Sequence, residues 1–331
     1  MAKIADVARL AGVSPSTVSY VLSGNRPISA RTQRRVRDSI SALGYRPHAG
    51  ARALARNRSN VIALVIPLRA GTAVPVLMQF ATAVVTAARG YDHDVLLLTQ
   101  DEGTHGLERV AGTALVDAII VMDVELHDPR LPVLRSLDRP SVLIGFPADA
   151  SGLTCVDLDF TAAGEICAGH LADLGHRSIA LIGSPPEVYQ RETGFARRVQ
   201  TGFERAARGR GLAAVTRACD PAPEAVHDTV DDLLRRHPGV TGVVIHNEPA
   251  AGLLIEEFRA AGRRVPGDLD VIAICPDEVA ERSSPPLTSV AIPAEEMAQQ
   301  AVRLLMAKLS GEQVPGATLL APRMTVREQE R

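Results

Sequence analysis

The chain has no tryptophan, and its 331 residues include only six phenylalanines and four tyrosines. Its core must therefore be aliphatic, built from Val, Leu, Ile and Ala. Cys155, Cys167, Cys219 and Cys275 are scattered, without the spacing of a disulfide framework or a zinc ribbon. Reduced thiols are expected. No apolar run approaches the ~18–20 residues that span a bilayer. The N-terminus, Met1-Ala2-Lys3-Ile4-Ala5-Asp6, lacks the apolar core of a signal peptide, so a cytoplasmic location is expected. A Walker loop, a dinucleotide-binding glycine motif and a Gly-x-Ser-x-Gly elbow are all absent. Cys167 and His170 lie one helical turn apart but have no second ligand pair. No enzyme activity, cofactor or metal is expected.

What is present is unevenly distributed. The net charge is −2, yet residues 1–60 carry eleven Lys/Arg against two acids, Asp6 and Asp38, leaving +9 there and −11 on the rest. Such a split suggests a polyanion-binding head on an acidic body; a solvated basic face is the plainer alternative.

The first sixty residues read as three short helices. Ile4, Val7, Ala8 and Ala11 fall at helical spacing, Asp6 suits the first turn, and Gly12 stops the helix. Ser14-Pro15 announces a second helix over Pro15–Ser23, with Ser as N-cap and Pro at the first helical position. Ser29 caps a third over Ala30–Leu43, ended by Gly44. The expected core is Val7, Ala8, Val18, Val21, Leu22, Val36, Ile40 and Leu43, with Arg31, Arg34, Arg35 and Arg37 outside. Two short helices joined by a tight glycine-containing turn form a helix-turn-helix, whose second helix enters the major groove. Pro15, Ser16, Ser19 and Tyr20 are the candidates for base edges, and Ser14 and Thr17 for phosphates. This helix carries no Arg or Asn, so the strong bidentate base contacts are missing from it.

The run Ile4-Ala-Asp-Val-Ala-Arg-Leu-Ala-Gly-Val-Ser, then Ser16-Thr-Val-Ser, then Leu43-Gly-Tyr-Arg-Pro resembles the LacI/GalR family of bacterial repressors. The resemblance implies a hinge helix in the following linker, with Leu54 levered into the minor groove and Arg52, Arg56 and Arg58 beside phosphates. An apolar wedge of this kind unstacks a base step and bends the duplex. Gly50 departs from the family's usual aliphatic residue, and a glycine inside a helix costs about 1 kcal/mol. A weaker hinge helix is expected. Partners implied by the family are pseudo-palindromic double-stranded operator DNA, a second copy of the chain, and a small effector, with the protein held at the nucleoid and no membrane involved.

From Asn60 onward, short aliphatic runs alternate with helical stretches. Val61–Pro67, Asp94–Leu98, Ala118–Met122, Ser141–Gly145, Ser178–Gly183, Gly242–His246 and Val271–Cys275 read as buried strands, and 76–89, 160–174, 195–208, 248–262 and 294–310 as helices. Alternation of this kind implies parallel sheets covered on both faces, and the length calls for two lobes. The expected fold is a small all-α helix-turn-helix headpiece (1–45), a hinge (46–59), and an α/β periplasmic-binding-protein-like domain of two doubly wound lobes (60–331). The resemblance extends there through Asp157-Leu-Asp-Phe-Thr, the stretch from Gly169, His246-Asn-Glu-Pro and Pro286-Leu-Thr-Ser-Val.

Ligands in open α/β sheets bind beyond the carboxyl ends of strands. Asp123, Asp159, Phe160, Asn247, Glu248 and Asp277 are the candidates there. The family's Arg-x-x-Gly-Phe element is met by Arg191-Glu-Thr-Gly-Phe. Gly202-Phe203 reads as the true helix position, however, so Arg198 is preferred to Arg191 as an effector contact. Cys275 replaces the family's usual acid, with Asp277 two residues on. By resemblance, the expected effector is a carbohydrate or small polyol. The alternatives are an architectural DNA-binding protein that ignores ligands, and a sugar-binding protein with no DNA role.

Overall fold

The computed structural model describes residues 2–23, 26–45, 58–113 and 115–327. Three helices form the N-terminal unit: α1 (Ile4–Ala11), α2 (Pro15–Ser23) and α3 (Ala30–Leu43). Val7, Ala8, Ala11, Val18 and Val36 are buried between them, flanked by Val21, Leu22 and Ile40. Leu43 is exposed rather than part of this core. The left-handed Gly44 turns the chain, the Tyr45 N–H closes on the Ile40 carbonyl at 3.0 Å, and Tyr45 packs in instead. Arg35 likewise does not stand free: its guanidinium donates to the carbonyls of Ala11 and Gly12 at the end of α1.

The body contains two six-stranded sheets. The first takes β1 (Val61–Val65), β2 (Asp94–Leu98), β3 (Ala118–Val121), β4 (Ser141–Ile144), β5 (Cys155–Leu158) and, from the chain's far end, β11 (Ala317–Leu320), in the order β11-β5-β4-β3-β1-β2. Its helices are α4 (Val74–Arg89), α5 (Gly103–Ala111) and α6 (Leu131–Ser136). The second takes β6 (Ser178–Gly183), β7 (Ala213–Ala218), β8 (Gly242–Ile245), β9 (Asp270–Cys275), β10 (Thr288–Ala291) and β12 (Met324–Thr325), in the order β12-β10-β9-β8-β6-β7. All pairings are parallel except β10 with β12. Ala-Ile-Ile-Val in β3 and Gly-Val-Val-Ile in β8 are buried throughout, as central strands covered on both faces require.

Both sheets have the same doubly wound order, and the chain passes between them three times. The first passage is through α7 (Phe160–Asp173). The chain returns through α13 (Ala294–Leu309) to β11 and passes once more through 321–323. The second lobe also holds α8 (Pro186–Gln190), α9 (Gly194–Gly209), α10 (Pro223–Arg236), α11 (Ala251–Ala260) and α12 (Asp277–Arg282). A 3₁₀ turn at Glu248–Ala250 precedes α11, so the single helix expected over 248–262 begins only after the cleft-facing loop.

Several polar anchors fix this frame. The Asp117 carboxylate accepts from the Ser59 and Asn60 N–H groups at 2.7 Å each, holding the start of the body. His176 hydrogen-bonds Thr241 Oγ1 at 2.8 Å and Asp270 Oδ2 at 3.0 Å, tying together the starts of β6, β8 and β9. Helices α7 and α9 meet backbone to backbone: a Cβ on Gly202 would stand 1.9 Å from the Thr161 carbonyl oxygen, and one on Gly164 2.3 Å from that of Val199. No helix among the described residues is long and apolar enough to cross a membrane.

Candidate functional site

Two regions collect the residues singled out by sequence. The first is the outer face of α2. Ser14 caps the helix, its Oγ accepting from the Thr17 N–H at 3.1 Å and sharing a hydrogen bond with the Thr17 hydroxyl at 2.9 Å. Pro15 and Ser16 are exposed, and Ser19 and Tyr20 partly so. The Arg26 guanidinium lies 5.1 Å from the centre of the Tyr20 ring, which bounds this surface with positive charge. Arg31, Arg34 and Arg37 are exposed on α3. Arg52, Leu54 and Arg56 lie outside the described residues, as does Gly50.

The second region is the cleft between the sheets. In a doubly wound sheet the loops diverge where strand order reverses, here between β1 and β3 and between β6 and β8. The segments leaving these four strands converge on one cavity of about 120 Å³. Its polar lining is Thr72 after β1, Asp123 after β3, Ser184 after β6, His246 and Glu248 after β8, with Asp157 from β5 and Arg191 from the end of α8. The walls are apolar: Val76, Leu77 and Phe80 from α4, Met122, Val124, Ile144, Val188, Ile292 and Met297, with Phe160 and Phe195. The rings of Phe160, Phe195 and His246 pack on one another with centroids 5.6–5.9 Å apart.

Asp123 is held out by a left-handed backbone (φ 52°), with Arg69 Nη1 3.3 Å from its carboxylate. The buried Arg130 fixes the loop from beneath. It is paired with Asp128 at 2.6 Å and donates to the carbonyls of Met122 and Asp123. Asp157 is 2% exposed; its Oδ1 accepts from the Leu158 N–H, and its Oδ2 has no hydrogen-bond partner. Burial pushes this carboxyl up to about 8 and that of Glu248 up to about 7. Burial acts on His246 in the opposite sense, lowering it to about 4, so the imidazole is neutral.

The structure brings Asp123, Phe160, Arg191 and Glu248 together at this cavity and places four other candidates elsewhere. Arg198 instead clamps the two lobes: its Nη2 donates to the Phe146 and Pro147 carbonyls at 2.9 and 3.0 Å, and its guanidinium stacks 4.8 Å from the Phe146 ring centre. The reason is that α9 starts at Gly194, which makes Arg191-Glu-Thr-Gly-Phe the helix-start element. Gly202-Phe203 is mid-helix, pressed against α7. Asp159 is spent as the N-cap of α7, accepting from the Ala162 N–H at 2.9 Å. Asn247 is buried under the loop, donating to the Gly183 and Cys219 carbonyls. Asp277 begins α12 on an outer groove shared with α4, away from the cavity. Thr72, Asp157, Ser184, His246 and Phe195 were not among the candidates. His246 directly follows a strand, and that position was the signal available for it.

A seam of backbone hydrogen bonds joins the lobes beside the cavity. The Leu126 N–H donates to the Glu192 carbonyl and the Gly194 N–H to the Val124 carbonyl, both at 2.9 Å. Arg191 Nη1 reaches the Ala70 carbonyl, also at 2.9 Å.

Comparison with known proteins gives consistent matches. Residues 3–48 match the family described as bacterial regulatory proteins, lacI family, and residues 168–328 match a periplasmic binding protein-like domain. The HTH-type transcriptional regulator CelR of Thermobifida fusca is 30% identical, covering 97% of this chain and 96% of the relative. Catabolite control protein A of Priestia megaterium is 28% identical, covering 96% of each. Among solved structures, a CelR–cellobiose complex superposes with a TM-score of 0.70 at 28% identity over 99% of both chains. A lac repressor dimer bound to operator and the anti-inducer ONPF superposes with a TM-score of 0.83 at 22% identity over 98% of both, which speaks for the fold.

Proposed function

Because the chain belongs to the lacI family of bacterial regulatory proteins, we propose that it represses transcription from a pseudo-palindromic operator, under the control of a small molecule bound between its lobes. It is a DNA-binding transcription regulator rather than an enzyme. The observation that carries the reading is the combination, in one chain, of an exposed, capped helix α2 flanked by arginines and an interlobe cavity. In this assignment residues 1–45 are the headpiece, 46–59 the hinge and 60–331 the effector-binding and dimerisation body. The protein works in the cytoplasm, at the nucleoid.

Pro15, Ser16, Ser19 and Tyr20 face base edges. Ser14, Thr17 and Arg31 hold phosphates, and Leu54 is the minor-groove wedge with Arg52 and Arg56 beside it. The second copy docks on the face of α4, where Val74, Met78 and Val85 are exposed above the groove shared with α12. A dimer presents its two α2 helices to successive major grooves. An effector that prefers one lobe angle changes the separation of the two hinge segments. The cavity residues Asp123, Phe160, Arg191 and Glu248 make the contacts in this scheme. Relatives that respond to sugars support a carbohydrate, the CelR–cellobiose complex being one.

Selection of bound duplexes from a randomised pool tests the reading, and recovery of a two-fold-symmetric site is expected. In the same assay Leu54→Ala should weaken binding to that site by about ten-fold or more while leaving nonspecific affinity nearly unchanged. An equal loss on both kinds of DNA removes the wedge from the scheme.

A further inference from the structure

The interlobe cavity has an unbalanced lining. It presents three carboxyl groups, Asp123, Asp157 and Glu248, against one guanidinium, Arg191, whose Nη1 is engaged by the Ala70 carbonyl. Asp123 is answered by Arg69. Among the described residues, Asp157 and Glu248 have no ion-pair partner, and Asp157 leaves an oxygen without any hydrogen bond. Arg198 attracts Asp157 through space, but its Nη2 is committed to the Phe146 and Pro147 carbonyls. A buried acid with an unsatisfied oxygen is costly, and a ligand that brings a cationic donor to it relieves that cost. The remaining walls suit the apolar face of a ring, with Phe160 and Phe195 against it. The volume, about 120 Å³, has room for a small ring.

Resting on the effector reading above, we propose that the cavity takes a monocyclic amino sugar, whose ammonium group is paired by Asp157 with Glu248 nearby and whose hydroxyls meet Arg191, Ser184 and His246. Such binding is coupled to a proton. The buried acid is largely neutral in the empty site, and when the ammonium arrives the carboxyl proton leaves to solvent while the nitrogen keeps its own three. The charged groups facing Asp157 are Arg198 from α9 and Asp159 at the end of its own strand. The titratable group facing Glu248 is Cys275 from β9, which burial keeps protonated.

The test uses the full chain near neutral pH, with D-glucosamine, D-glucose and cellobiose as probes, read by calorimetry and melting temperature. D-Glucosamine is expected to bind about ten-fold or more tighter than D-glucose, the difference of a charge-assisted hydrogen bond. Calorimetry in two buffers of different protonation enthalpy should show net proton release with D-glucosamine and none with D-glucose. Asp157→Asn should bring the two sugars to similar affinity, and Glu248→Gln should reduce the preference independently. D-Glucose binding as tightly as D-glucosamine, or a preference that survives both substitutions, overturns the proposal. If cellobiose or D-glucose binds, and Arg191→Ala abolishes it while D-glucosamine is ignored, the effector reading stands and the amino-sugar inference falls. If none of the three moves the melting temperature, both fall.

Discussion

Single buried groups set how this protein responds to pH. Burial holds Asp157 up at about 8 and Glu248 at about 7. A carboxyl raised in the fold stabilises it most below the unfolded value, and this is lost as pH rises through the folded value. His246, lowered to about 4, works in the other direction: its contribution is complete above the unfolded pKa of ~6.5 and is lost as pH falls through the folded value. The slopes oppose one another between about pH 4 and 6.5, and of these three groups only the carboxyls act above that. The body's melting temperature should therefore fall between about pH 6.5 and 8, and Asp157→Asn should flatten most of that fall. A titration of stability by urea unfolding checks this; an unaltered profile in the variant means that Asp157 is already ionised in the fold.

At the scale of elements, the decisive contact is between α7 and α9. Their axes approach closely only because Gly164 and Gly202 present no side chains, and the atoms a Cβ would strike are backbone atoms that cannot swing aside. Gly202→Ala should cost about 3 kcal/mol or more through overpacking, despite alanine's better helix propensity. Denaturant unfolding measures it, and a neutral result means that the two helices can slide apart without penalty. Helices α1, α2 and α3 were legible to the residue because their caps are local signals: Ser14-Pro15, Ser29, Gly12 and Gly44 stand at the ends where the backbone needs them. Strands β5, β7, β10, β11 and β12 were not. Asp157 interrupts the apolar pattern of β5, and β7 and β11 carry edge-like exposure, so alternation and length do not mark them. Helices α5, α6, α8, α10 and α12 went unread as well, the buried stripe of α10 being reduced to Val226, Val230 and Leu233 in a charged sequence.

For the whole molecule, the two lobes are held by the seam at 124–126 with 192–194 and by the Arg198 clamp. The two charge-assisted hydrogen bonds of the Arg198 clamp contribute ~1.5–3 kcal/mol each. Arg198→Ala should therefore shift the lobes toward a more open arrangement. Amide exchange at Leu126 and Gly194 should quicken by about ten-fold or more, while the headpiece core around Val18 and Val36 keeps its protection. Unchanged exchange at the seam means that the backbone hydrogen bonds alone hold the lobes. The same arrangement makes Arg198 a positioning residue: besides its through-space attraction for Asp157, it acts on the cavity through the lobe angle that it sets.

The chain's order of residues determined the three-helix head, its capped second helix, the concentration of positive charge there and the strand–helix alternation of the body. Each of these follows from caps, periodicity or composition within a few neighbouring residues. Only the tertiary structure decided which side chains share the cavity. Arg191 and Arg198 are seven positions apart on neighbouring helices, and their separate roles depend on where α9 begins and what lies across the lobe boundary. Asp157, on a strand of one sheet, and His246, just after a strand of the other, lie far apart in sequence. They meet because two doubly wound sheets point their reversal points at each other, a long-range arrangement that no local pattern encodes.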